Sequence, residues 1–109
     1  MFEDTRDYFN HLLDEAGIKY TVNRCFDGYQ WRFPALPGGD IICHSASYHS
    51  NEGFVESYGF EWDDGDVTAL PPDEMIAYLL GEETEPQETY DFMDLLESMG
   101  KLPGLCDGE

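Results

Sequence analysis

The sequence predicts a single α+β domain: an N-terminal helix, a four-stranded antiparallel meander and two C-terminal helices. Three observations predict it. The chain has 109 residues, near the commonest domain size. Apolar residues make up 41% and aromatics 15%, enough for a packed core despite the heavy charge. Four short aromatic or β-branched runs, separated by turn signals, lie between segments of helical periodicity. That order places the helices on one face of a sheet. Residues 1–100 form the domain and 101–109 a loosely held tail.

Each element has its own signal. From Asp4 to Ala16, Phe9, Leu12, Leu13 and Ala16 form an apolar stripe, and Gly17 stands where a helix stop is expected. Ile18–Phe26 is followed by Asp27-Gly28, a hairpin signal. Tyr29–Leu36 alternates Tyr29, Trp31 and Phe33 with Gln30, Arg32 and Pro34, and Pro34 makes it an edge strand or ends it early. Ile41–His49 is the third run. Phe54–Trp62 is the fourth, with Phe54, Tyr58, Phe60 and Trp62 on one parity and Glu56 interrupting. Such strands are half-buried, one face on a core. Pro71-Pro72 opens a helix from Asp73 to about Leu80, with acids in its first turn. After the loop Gly81–Pro86, a third helix runs from Gln87 to Met99, with Phe92, Leu95, Leu96 and Met99 inward.

The charge is far from ordinary. Formal net charge is −19, against a magnitude of roughly 2–8 that suits a small soluble domain. From Phe33 to Gly100 there are sixteen Asp and Glu and no Lys or Arg, whereas the first 32 residues hold six acids and four bases. Such a chain repels nucleic acid and anionic membranes and attracts a basic surface. No apolar run approaches the ~20 residues of a membrane span, and MFEDTRDYF lacks the regions of a signal peptide. Cys25, Cys43 and Cys106, odd in number and widely spaced, suit reduced thiols. The expectation is a cytoplasmic protein.

Chemical sites are weighed against this background. Cys43, His44 and His49 lie within seven residues, the spacing that suggests a metal-binding domain or a small enzyme. On an extended strand Cys43 and His44 point to opposite faces, and Cys43 and His49 stand about 20 Å apart at ~3.3 Å per residue, too far for one zinc or a nucleophile–base pair. His11 between Asp7 and Glu15 reads as a solvated helix face. Counted from Asp63, the calcium-loop positions 1, 3, 5 and 6 hold Asp63, Gly65, Val67 and Thr68, so that motif fails. No catalytic residue, metal or cofactor is expected.

The acids themselves are ordered. Glu88, Asp91, Asp94 and Glu97 recur every three residues on the third predicted helix and would span about 13.5 Å at ~1.5 Å per residue. One DNA strand presents a phosphate per ~3.4 Å of axis, a comparable density. Glu82, Glu83 and Glu85 in the preceding loop, and Glu61, Asp63, Asp64 and Asp66 in the earlier turn, would extend the ladder. A strongly acidic helix, antiparallel meander and two helices resembles the small phage anti-CRISPR proteins that block Cas9 by imitating DNA. That resemblance covers element order and charge over nearly the whole chain and assigns no residue. It implies a phage-borne, non-enzymatic inhibitor acting in the bacterial host cytoplasm. Its partner would be a basic nucleic-acid-binding protein: a Cas nuclease, a restriction enzyme or, for an immunity protein, a nuclease toxin.

Overall fold

The computed structural model of the chain describes residues 2–81 and 90–100. Its first helix, α1 (Glu3–Ala16), ends where Gly17 takes the left-handed conformation (φ 73°) and returns its N–H to the Asp14 carbonyl. A residue free of a Cβ enters that region at least cost, so the predicted stop works as expected. Phe9 and Leu13, one turn apart, are fully buried. Phe9 meets Trp31 edge-on at 5.0 Å between ring centroids, and the Trp31 indole N–H donates to Asn10 Oδ1 at 2.7 Å. Trp31 is the largest wholly buried side chain, and its truncation to Ala would cost about 3–5 kcal/mol.

The sheet has five strands, not four: β1 (Thr21–Cys25), β2 (Gly28–Arg32), β3 (Asp40–Cys43), β4 (Val55–Tyr58) and β5 (Val67–Leu70), all antiparallel and in chain order. β5 escapes the sequence reading because four residues between an acidic turn and Pro71 give too little alternation to register. β2 ends before Pro34, as the missing N–H requires, but lies inside the sheet between β1 and β3. β3 stops at Cys43, and His44–His49 forms turns instead of continuing the strand. The first hairpin turns through Phe26-Asp27, with Phe26 left-handed (φ 56°), so Gly28 opens β2 opposite Cys25.

Helices cover both faces of this sheet, where one was expected. On one face α1 and α2 (Pro72–Leu79) pack against each other, and Phe9, Leu13 and Met75 meet Tyr29, Trp31, Ile41, Cys43 and Val55. On the other, Leu95 of α3 (Phe92–Met99) packs with Cys25, Ile42 and Val67, joined by Tyr58, Tyr90 and Phe92. Period-2 strands therefore bury both parities: all of β2 is buried except the half-buried Arg32. α3 starts at Phe92 rather than Gln87, because Tyr90 pairs instead with Val67 at the β5 edge through N–H···O bonds of 2.7 and 3.1 Å. Leu96, expected inward, is 43% exposed. Cys25 is disulfide-bonded and Cys43 is a free buried thiol, which corrects the expectation of three reduced thiols. Cys106, with the rest of the predicted tail, lies outside the described residues, as do residues 82–89.

No helix among the described residues is long and apolar enough to cross a membrane. The tightest backbone approach is at Gly28, where a Cβ would stand 1.8 Å from the Cys43 carbonyl oxygen. Gly28→Ala is therefore expected to destabilise the protein by about 2–4 kcal/mol, as overpacking against backbone does. A urea midpoint unchanged from wild type would disprove that close approach.

Candidate functional site

The predicted site residues fall into three groups. The turn joining β4 to β5 carries Glu61, Asp63, Asp64 and Asp66, and one of them organises it. Asp63 is fully buried. Its Oδ1 accepts from the Ser57 hydroxyl at 2.8 Å, and its Oδ2 accepts from the Phe60 N–H at 3.1 Å. The Ser57 oxygen in turn accepts from the Trp62 indole N–H at 2.9 Å. Burial pushes the Asp63 carboxyl up to about 6, while the nearby Thr68 hydroxyl and the hydrogen bonds from Ser57 and Phe60 oppose the shift. The assignment of Asp63 as a partner-facing charge is thus corrected: it holds the turn from inside. Glu61 and Asp64 are exposed and Asp66 half-buried, so the turn displays carboxylates around a buried one.

The second group is the ladder. Asp91 is not on the helix but caps it, accepting from the Met93 N–H at 2.9 Å, the bond an N-terminal turn otherwise lacks. Asp94 and Glu97 lie exposed on α3, three residues apart. Glu88, with Glu82, Glu83 and Glu85, lies outside the described residues. Among the described residues the ladder consists of a cap and two helical carboxylates, because the backbone at Tyr90 is paired to β5 rather than helical.

The third group is Cys43, His44 and His49, which the fold separates. Cys43 is wholly buried in the cluster under α1, and burial, with lesser help from Asp27 and Glu56, pushes its thiol up to about 12. A thiol so held carries no thiolate for attack or ligation at neutral pH. His44 is also fully buried, edge-on to Phe26 at 5.3 Å, with Nδ1 accepting from the Ala46 N–H. Desolvation pulls it down to about 4, against the pull of Asp27, so it is neutral. Among the described residues no three His, Cys, Asp or Glu side chains gather to hold a metal ion. His11 pairs with Glu15 at 3.1 Å on the exposed face of α1.

Two polar features were not predicted. Exposed His49, left-handed at φ 57°, holds the Glu52 carboxylate with Nδ1 and stands 3.0 Å from the Tyr90 hydroxyl through Nε2. Tyr90 also stacks on Tyr48 at 4.4 Å, so this chain ties the short 3-10 turn Ser50–Glu52 to the segment leading into α3. Nothing in the sequence spacing connects residue 49 to residue 90. The other feature is Glu56, 1% exposed, whose Oε2 accepts from the Tyr48 N–H at 2.6 Å and whose Oε1 has no hydrogen-bond partner among the described residues. Its interruption of an otherwise aromatic parity was the visible trace. Burial pushes Glu56 up to about 8, with Asp63 and Asp40 adding to the shift and the Tyr48 N–H opposing it.

Beside the acidic turn lies a groove of about 510 Å³ lined by Leu36, Phe60, Glu61, Trp62, Tyr78 and residues 79–81. Phe60 and Trp62 stack nearly parallel at 4.5 Å, and Tyr78 stands 5.6 Å from Trp62 at 45°. The chain matches no protein-family model, no curated protein and no solved structure.

Glu56 makes stability fall as pH rises. Its folded value of about 8 exceeds its ordinary value of 4.5, so its contribution is complete below pH 4.5 and is lost as pH climbs through 8. Between about pH 6.5 and 8, above the ordinary value of His44 and the folded value of Asp63, Glu56 dominates these buried terms. Over that window the urea midpoint of wild type is expected to drop and that of Glu56→Gln to stay nearly level. Equal slopes in the two proteins would show that Glu56 is ionised at neutral pH.

Proposed function

We propose that the protein is a non-enzymatic inhibitor that imitates nucleic acid and occupies the basic cleft of a bacterial nucleic-acid-binding protein, of the Cas-nuclease or restriction-enzyme kind. One observation carries this reading. Glu61, Asp64, Asp73, Glu74, Asp94 and Glu97 are exposed on ordered elements, with no ion-pair partner among the described residues. Surface acids of a merely soluble domain are interspersed with bases; here residues 33–100 contain none. Carboxylates fixed on a folded scaffold substitute for phosphates without the ordering cost a flexible tail would incur. Their shared field steers a basic partner into contact.

The buried acids do a different task, so the interface is drawn from Glu61, Asp64 and Asp66 of the turn and from Asp91, Asp94 and Glu97 beside α3. Glu82, Glu83, Glu85 and Glu88 fall between these two groups in sequence and belong to the same proposal. The host cytoplasm is the compartment this target implies. The Cys25 disulfide removes the thiol argument for that compartment, since a cytoplasm keeps most thiols reduced. An inhibitor working there must keep its activity after reduction.

Two outcomes follow. Inhibitor and DNA should compete for one surface, so the apparent dissociation constant of a target for DNA rises without limit as inhibitor is added, and association slows as salt screens charges beyond ~8–10 Å. A plateau, or a ternary complex with DNA still bound, would rule out mimicry. Reversing Glu61, Asp64, Asp94 and Glu97 to Lys should leave the fold intact and weaken target binding by roughly 100-fold or more. Inhibition by that folded variant at wild-type strength would remove these residues from the interface. Both measurements are to be repeated after full reduction, where the same results are expected.

A further inference from the structure

We propose that the groove beside the acidic turn captures an arginine side chain of the protein partner, so that contact with the target has a shape-specific anchor as well as a field. This rests on the reading of the partner as a basic protein. Carboxylates alone attract every cation alike; the groove offers something they do not.

Its geometry suits a flat cation. The phenyl face of Phe60 packs over Gly39, where a Cβ would meet three ring carbons at 2.7–2.8 Å. Trp62 stacks on Phe60, 7° from parallel. The half-buried indole lines the groove with the part of its surface that Phe60 leaves open. Tyr78, Leu79 and Leu80 also line the groove, together with the exposed carboxylate of Glu61. A guanidinium is planar and weakly hydrated; it stacks on an indole face while its edge N–H groups reach a carboxylate. The three methylenes of the side chain would lie along Leu79 and the 46% exposed Leu80.

Charge complementarity identifies the occupant. The groove lining contains no basic residue, and the chain from Phe33 to Gly81 holds none at all, so nothing within that stretch competes for the site. An apolar side chain would gain the walls but nothing from the surrounding field, and an anionic one would be repelled by it; a lysine would gain the field but not the planar stacking.

The test uses N-acetyl-arginine amide, and its neutral citrulline analogue, titrated into the full chain while the Trp62 indole and Leu79 and Leu80 methyl resonances are followed by NMR. The arginine compound is expected to shift these signals saturably, and the citrulline analogue to bind at least about fivefold more weakly, as loss of the cation–π and carboxylate contacts implies. Glu61→Gln should weaken arginine binding and Leu80→Lys should abolish it; both change exposed residues, so folding is preserved. Equal shifts with citrulline, shifts spread over the acidic surface while Trp62 stays still, or unaltered binding in Leu80→Lys would each overturn the proposal. The probe is independent of any DNA competition. Arginine capture without competition would sink the inhibitor reading alone, and competition without arginine capture would sink this one alone.

Discussion

The bond between Ser57 and the buried carboxylate of Asp63 is the contact on which the acidic turn and the groove beside it depend. It joins the middle of β4 to the turn that follows, while Asp63 also ties down the Phe60 N–H and Ser57 receives the Trp62 indole. One acid therefore fixes the course of the chain, the seat of the aromatic stack and the outward direction of the neighbouring acids. A buried carboxylate costs free energy unless its oxygens are satisfied. Both oxygens of Asp63 accept hydrogen bonds, which is why a site surrounded by negative charge can hold it.

The surface charge and the two-sided core bear on one another. Self-repulsion from a net charge of −19 opposes compaction. Against it stand two hydrophobic clusters, one on each face of a sheet only five strands wide, and aromatic pairs that include Tyr58 stacked on Phe92 at 4.0 Å. Burying both parities of the strands gives a small domain more apolar contact than a half-open sheet would. The cost appears as buried polar groups, Gln30, Glu56 and Thr68 among them, on strands with no solvent face to turn them toward.

Where local chemistry decides structure, the sequence was readable. The stripe of α1 and its stop at Gly17, the end of β2 before Pro34 and the Pro-opened α2 depend on a few adjacent residues. What failed depends on distant ones. Glu56 and Gln30 look like solvent positions until their face of the sheet is known to carry the second cluster. Asp63 is indistinguishable from Asp64 in sequence, and only the serine six residues back separates the structural acid from the displayed one. The ladder of residues 88–97 assumed one continuous helix; pairing of Tyr90 with Val67 outcompeted helix propagation at that point. Of the candidate site, the acidic turn was visible as a run of charge, whereas the groove beside it required Phe60, Trp62 and Tyr78 to be brought together from separate elements.

The two coverings of the sheet are unequal in their timing. Everything under α1 and α2 is encoded by residue 81, but the opposite face waits for Tyr90, Phe92 and Leu95. During synthesis the ribosome thus presents a sheet with one finished side and one bare side carrying Cys25, Ile42 and Val67. Dense negative charge along the emerging chain is then a safeguard against sticking, because two such half-clothed sheets repel before their bare sides meet.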